Sequence, residues 1–379
     1  MHLKAYGQFV NAIFTSMKIV HYFSGTLLLL IAVCCGDNTT VNEKLATISA
    51  DESNSSLPQA QLDSLNKKIR ENPDSPNGYF LRSQYYVEQG LLGKAREDLN
   101  MCINMSPETA IFYLEKAKLL YQLSAQGMTK EFDNCEQYAL KTLELDSTAK
   151  EAHLLLGKIY LALPNFGKAL DQFNAALRID KYYPEPYFFK GLTYARAGDT
   201  AKAVSSYITA TEQNPEHYDS YMELGILYSK HDGEERNMAQ LYFDNALEIK
   251  PNSIEALLAK GIFLQDNNNF QLADSCYNSI LELDPKFEIA YHNKGYMHFK
   301  TFKDDLDQES KDSVLILAIE DFTSAIGIND QYVQAYHNRG LCFELMGDYV
   351  SAKVDYATAL KIDPSFTLSL NALNALDKQ

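Results

Sequence analysis

The chain has no tryptophan among its 379 residues, and no uninterrupted apolar stretch of the about 20 residues that a membrane-spanning helix needs. Basic residues are scarce, 34 Lys and Arg against 50 Asp and Glu, for a formal charge of −16. That surface repels phosphate backbones and anionic headgroups, which argues against nucleic acid as a partner. The six cysteines form no Cys-x-x-Cys. Four of them, Cys102, Cys135, Cys276 and Cys342, fall at apolar positions and read as buried structural residues. A Gly-rich phosphate loop, a Ser-nucleophile elbow and a His-Glu-x-x-His motif are all missing. No catalytic residue, metal site or cofactor is expected.

What is present is apolar and aromatic: 46% hydrophobic residues, with 25 Tyr and 19 Phe. From Met17 the chain reads MKIVHYFSGTLLLLIAVCCGD, a Met-Lys start, an apolar run over 27–33 and then Cys34-Cys35-Gly36. This short export signal over 17–35 resembles a bacterial lipoprotein signal, with Cys35 the lipidated residue because small polar residues follow it. Residues 1–16 are then an over-called extension upstream of Met17. Residues 36–58 are polar and lack apolar periodicity, and read as a flexible tether. The localisation this implies is the bacterial cell envelope, with a lipid holding the protein to a membrane.

Glycines recur at Gly157, Gly191, Gly225, Gly261, Gly295 and Gly340, with steps of 34, 34, 36, 34 and 45 residues. Twelve residues after four of them stands alanine (Ala169, Ala203, Ala273, Ala352), and four further on an aromatic ring (Phe173, Tyr207, Tyr277, Tyr356). Proline closes many units, as at Pro73, Pro107, Pro215, Pro251, Pro285 and Pro364. Tyr187, Gly191 and Tyr194 lie on one helical stripe, and Ala203, Tyr207 and Ala210 on a second. A small residue on each lets two helices approach, and Gly198 between them can take the left-handed conformation of a helix end. One such hairpin cannot bury its stripe alone, so neighbours stack.

The pattern resembles the tetratricopeptide repeat over residues 76–364. It implies an all-α fold, an α-solenoid wound as a right-handed superhelix of about eight helical hairpins. The repeats begin at Pro76, Ala110, Lys150, Pro184, Tyr218, Ile254, Glu288 and Val333. Capping helices are expected at 59–73 and 365–379. Insertions around 127–133, around 231–235 and within 301–313 read as surface loops.

In proteins of this family the first helix of each repeat lines a concave groove through its second, fifth, ninth, twelfth and thirteenth positions. Carried over, the fifth-position row contains Phe80, Leu114, Phe188, Met222, Leu258, His292 and His337. The ninth-position row contains Lys118, Lys158, Leu192, Ile226, Ile262, Tyr296 and Leu341. The groove is thus apolar in the middle, with a basic spot near its start and a polar-aromatic end that includes Asn293 and Asn338. His292 and His337 share a position in adjacent repeats, yet no third metal ligand is implied, and they read as groove-lining polar residues. The lysine and asparagine that clamp a carboxylate in chaperone-binding members are replaced by Phe80 and Gln84. The expected function is a non-enzymatic adaptor that binds a peptide or helix of a protein partner in this groove. The alternative is a structural subunit of a secretion, pilus or motility complex, held by the convex face or by self-association.

Overall fold

The computed structural model describes residues 56–125, 132–303 and 306–377. The export signal, Cys35 and the core of the insertion at 127–133 lie outside the described residues. Helix α1 (Ser56–Glu71) leads, so the last three residues of the expected tether are helical. Eight hairpins follow: α2 (Pro76–Glu88) with α3 (Leu92–Met105), α4 (Ala110–Ala125) with α5 (Phe132–Leu145), α6 (Lys150–Ala162) with α7 (Phe166–Ile179), and α8 (Pro184–Arg196) with α9 (Thr200–Gln213). The later four are α10 (Tyr218–Ser229) with α11 (Met238–Ile249), α12 (Ile254–Asp266) with α13 (Phe270–Leu283), α14 (Glu288–Thr301) with α15 (Gln308–Ile328), and α16 (Val333–Leu345) with α17 (Tyr349–Ile362). Helix α18 (Thr367–Leu376) closes the chain, and no strand occurs among the described residues. The first helices start at the eight residues that the repeat spacing marks. The chain divides at Pro215 into an N-terminal unit holding α1–α9 and a C-terminal unit holding α10–α18. Within each, successive hairpins pack side by side as an α-solenoid.

Local chemistry sets the ends of these helices. Pro76 and Pro184 occupy first-turn positions where no amide proton is needed. Gly198 and Gly347 turn the chain between paired helices at φ of +83° and +81°, and Asn268 does the same at +56°. Asp199, Ser253, Asp307 and Asp348 then cap the following helix by accepting a backbone N–H three residues on.

Inside each of the last six hairpins the repeat glycine faces a ring of the second helix. A Cβ built on Gly157, Gly191, Gly225, Gly261, Gly295 or Gly340 would stand under 3.0 Å from Phe173, Tyr207, Phe243, Tyr277, Phe322 or Tyr356. All six rings are at most 2% exposed, so none can swing aside. Where no ring stands opposite, the glycine is dispensable: Ser83 shares its hairpin with Leu99, and Ala117 with Ala139.

Two insertions take helical form where loops were expected. Residues Gly233–Asn237 make a 3₁₀ turn, and much of the insertion at 301–313 lengthens α15 to 21 residues against 14 in α13. Asp307 explains the second case, because it caps the helix seven residues before the equivalent start elsewhere. The outer ends are covered: Leu65 and Ile69 of α1 are buried, and Ala372 and Leu376 of α18 pack on Ala352 and Tyr356.

Gly191→Ala should lower stability by about 1–3 kcal/mol through overpacking against Tyr207, although alanine is the better helix former. Gly327, in α15, has nothing within 4 Å of its Cβ site. Gly327→Ala should therefore be neutral or stabilise by up to about 1 kcal/mol. Thermal melts followed by circular dichroism would check the opposite signs.

Candidate functional site

The first helices carry the candidate face in both units, but much of the fifth-position row is not on an open surface. Leu114, Met222, Leu258, His292 and His337 are each 4–5% exposed. The reason is the approach of the next hairpin. Leu114 packs on Ala149 and Ala152 at the start of α6, and Phe80 meets Phe112 of α4 at 5.2 Å between ring centroids. The third position of the following repeat is small at Ala152, Ala256, Ala290 and Ala335, all fully buried, which lets a fifth-position side chain seat there. Phe80 and Phe188 keep partial exposure, and Phe188 leans on Phe189 and Tyr207.

The ninth-position row divides differently. Lys118, Lys158, Ile226, Ile262 and Leu341 are partly exposed, whereas Leu192 and Tyr296 are buried. In the N-terminal unit, Lys158 of α6 lies with its ammonium 4.9 Å from the centroid of the Tyr121 ring of α4 and 5.1 Å from that of Phe189 of α8. Burial pulls its pKa down, and the charge of Lys118 pushes the same way. Lys118 itself is paired with Glu115 at 2.7 Å. Burial also drives the Tyr121 phenol up to about 12.

The polar end in the C-terminal unit is internal. His292 Nε2 meets Asn338 Nδ2 at 3.1 Å, and His292 Nδ1 lies 3.4 Å from Asn293 Oδ1. His337 Nδ1 is 3.1 Å from Ser369 Oγ of α18. Asn338 and the two histidines therefore link α14, α16 and α18 instead of lining an open groove, whereas Asn293 bonds the adjacent His292 on its own helix. Burial lowers both imidazoles to about 4.

One regularity went unread in the sequence. The seventh position of a first helix is basic in six of the eight repeats: at Lys190, which lies by the Tyr187 ring, and at five cations that share one bond, Arg82, Lys116, Lys260, Lys294 and Arg339. Each of these five reaches the residue 16 earlier, on the preceding helix: Asn66, Asn100, Asp244, Asn278 and Thr323. Arg82 and Arg339 also hold Asp98 and Asp355 with two hydrogen bonds each. The signal was available as a cation one residue before the repeat glycine, paired with a polar residue at fixed distance. It is masked by Leu156 and Leu224 in the two repeats that lack it.

The buried histidines predict an acid-sensitive C-terminal unit. Folded, they stay neutral down to about pH 4; unfolded, they protonate near 6.5. Protons thus favour the unfolded chain, and stability falls as pH drops through that window, by on the order of 3 kcal/mol per histidine. In melts taken from pH 7 to pH 4, a His292→Gln, His337→Gln variant should show a shallower loss than the native chain.

Comparison with known proteins gives the family. Models described as tetratricopeptide repeat match residues 136–184, 190–254, 254–287 and 333–366. BBSome complex member BBS4 of Bos taurus is 28% identical over 201 residues, covering 53% of this chain and 37% of that protein. Mitochondrial import receptor subunit TOM70 of Rattus norvegicus is 30% identical over 128 residues, 34% of this chain and 20% of its own. Protein O-mannosyl-transferase TMTC3 of Homo sapiens is 24% identical across 70% of this chain and 32% of itself. The chain thus matches less than half the length of each of these relatives. Among solved structures, the C-terminal part of a TPR repeat-containing protein from Cytophaga hutchinsonii is similar in fold, with a TM-score of 0.54 at 15% identity over 69% of this chain and 99% of that one. With the repeat glycines, the paired helices and these matches together, the chain belongs to the tetratricopeptide repeat proteins.

Proposed function

We propose that this protein is a non-catalytic scaffold that holds a partner protein on the inner faces of its first helices, and that a lipid on Cys35 tethers it to a bacterial membrane. The observation that carries the binding half is the row of ninth-position side chains that stay partly exposed while their neighbours are buried. Lys118 and Lys158 form it in one unit, and Ile226, Ile262 and Leu341 in the other. Stacked repeats present such rows as extended binding surfaces. Relatives named as members of the BBSome complex and as Anaphase-promoting complex subunit 3 of Schizosaccharomyces pombe support assembly work over catalysis. So does the state of the reactive groups. His292 and His337 are neutral and engaged in the core, and burial raises the thiols of Cys102, Cys276 and Cys342, the first to about 12.

The tether rests on the residues themselves, a Met-Lys start, the short apolar run and Cys35 followed by Gly36-Asp37. A second reading, attachment through the outer face, draws on α17, where Tyr349, Val350 and Val354 are 49%, 77% and 61% exposed.

Two experiments test these readings. Ile226→Asp with Ile262→Asp should leave the melting profile near native and abolish capture of the partner from an envelope extract. Undiminished capture, lost instead on Val350→Asp with Val354→Asp, would move the interface to the outer face. Growth with a labelled fatty acid should mark the native chain but not Cys35→Ser, and unlabelled native chain would remove the lipid.

A further inference from the structure

Most lysines whose contacts are described have an acid or amide to answer them: Lys150 bonds Asp180, Lys202 bonds Asp199, Lys353 bonds Asp377, and Lys116 bonds Asn100. The partly buried Lys190 and Lys300 have only a single ring each, Tyr187 and Tyr296, whereas Lys158 lies between two. No hydrogen bond or ion pair to its ammonium occurs among the described residues, in a chain with 50 acidic residues to draw on. Its flanks are two aromatic rings from the neighbouring first helices, Tyr121 on one side and Phe189 on the other. Lys118, the cation whose field reaches it, is already matched by Glu115. At the rim, exposed Arg196 donates to the carbonyl of Leu161 at 3.4 Å. A partly buried ammonium without a counter-charge is costly unless something supplies one. The position is nonetheless partly open, on the ninth-position row.

We infer that Lys158, between Tyr121 and Phe189 and backed by Lys118, receives the carboxylate of one Asp or Glu side chain from an otherwise apolar segment of the partner protein. The inference rests on the scaffold reading and names the chemistry one of its faces selects. The carboxylate supplies the missing charge in a desolvated setting, where a charge-assisted hydrogen bond is strong. The rings pack the segment's apolar part. The remainder of the surface sets the limit on charge, because a chain at −16 repels a polyacidic segment and tolerates a single acid aimed at a cation.

The test uses the full chain on an array of apolar octapeptides, C-terminally amidated, each with one Glu at a varied position and matched to copies carrying Gln or Lys there. The Glu peptides should retain the protein about tenfold or more over their Gln copies. Lys158→Met, which keeps the stem between the rings, should erase that preference, while Lys353→Met should keep it. Equal retention of Glu and Gln peptides would leave peptide binding intact and overturn the carboxylate site. So would a Glu preference that survives Lys158→Met. If the array retains nothing while capture of the native partner still depends on Ile226 and Ile262, the carboxylate site falls and the scaffold reading stands.

Discussion

In six of the eight hairpins the distance between the paired helices is set by one contact, a glycine backbone pressed against a buried ring. Gly191 against Tyr207 and Gly340 against Tyr356 are the same joint made twice, once in each unit. With no Cβ in the way, the ring packs directly on the first helix and is fully buried. The first helices then stand at a spacing where alanine at the third position can accept the fifth-position side chain of the repeat before it. Burial of Leu114, Leu258 and His292 follows from that joint as much as from their own chemistry.

Such dependence separates what could be read in one dimension from what could not. Helix starts at Pro76, Pro184 and Tyr218 are local events, fixed by proline, capping residues and the apolar stripe, and they fall at the residues the repeat spacing marks. The turn at Gly198 is equally local. The fate of the fifth-position row was not, because periodicity says which face of a helix is apolar without saying how near the next hairpin comes. His292 and His337 were misplaced for that reason: both fill the seam and are answered by Asn338 and Ser369. The insertion at 301–313 is expected as a loop because insertions between solenoid helices map to loops, yet Asp307 caps a helix within it and the added residues extend α15.

The charge balance looks different in three dimensions. Asp and Glu exceed Lys and Arg by 16, yet many of the cations work inside the fold, against aromatic faces or at the seams. Lys116 lies over the Tyr138 ring and bonds Asn100, and Lys260 reaches Asp244 on the preceding helix. The acidic excess is therefore left to the solvated surface, where it keeps the chain soluble and discourages polyanions.

The bonds made by the seventh-position cations have a bearing on how such a chain can change length. Donor and acceptor sit 16 residues apart, so gaining or losing a whole repeat carries one acceptor and one donor together and leaves no cation stranded at the new junction. A cut of any other size would break the register and strand a partly buried charge, which is costly. An ancestral array with this seam could lengthen or shorten by entire hairpins at small cost. The two repeats with leucine at that position, Leu156 and Leu224, mark junctions released from that rule.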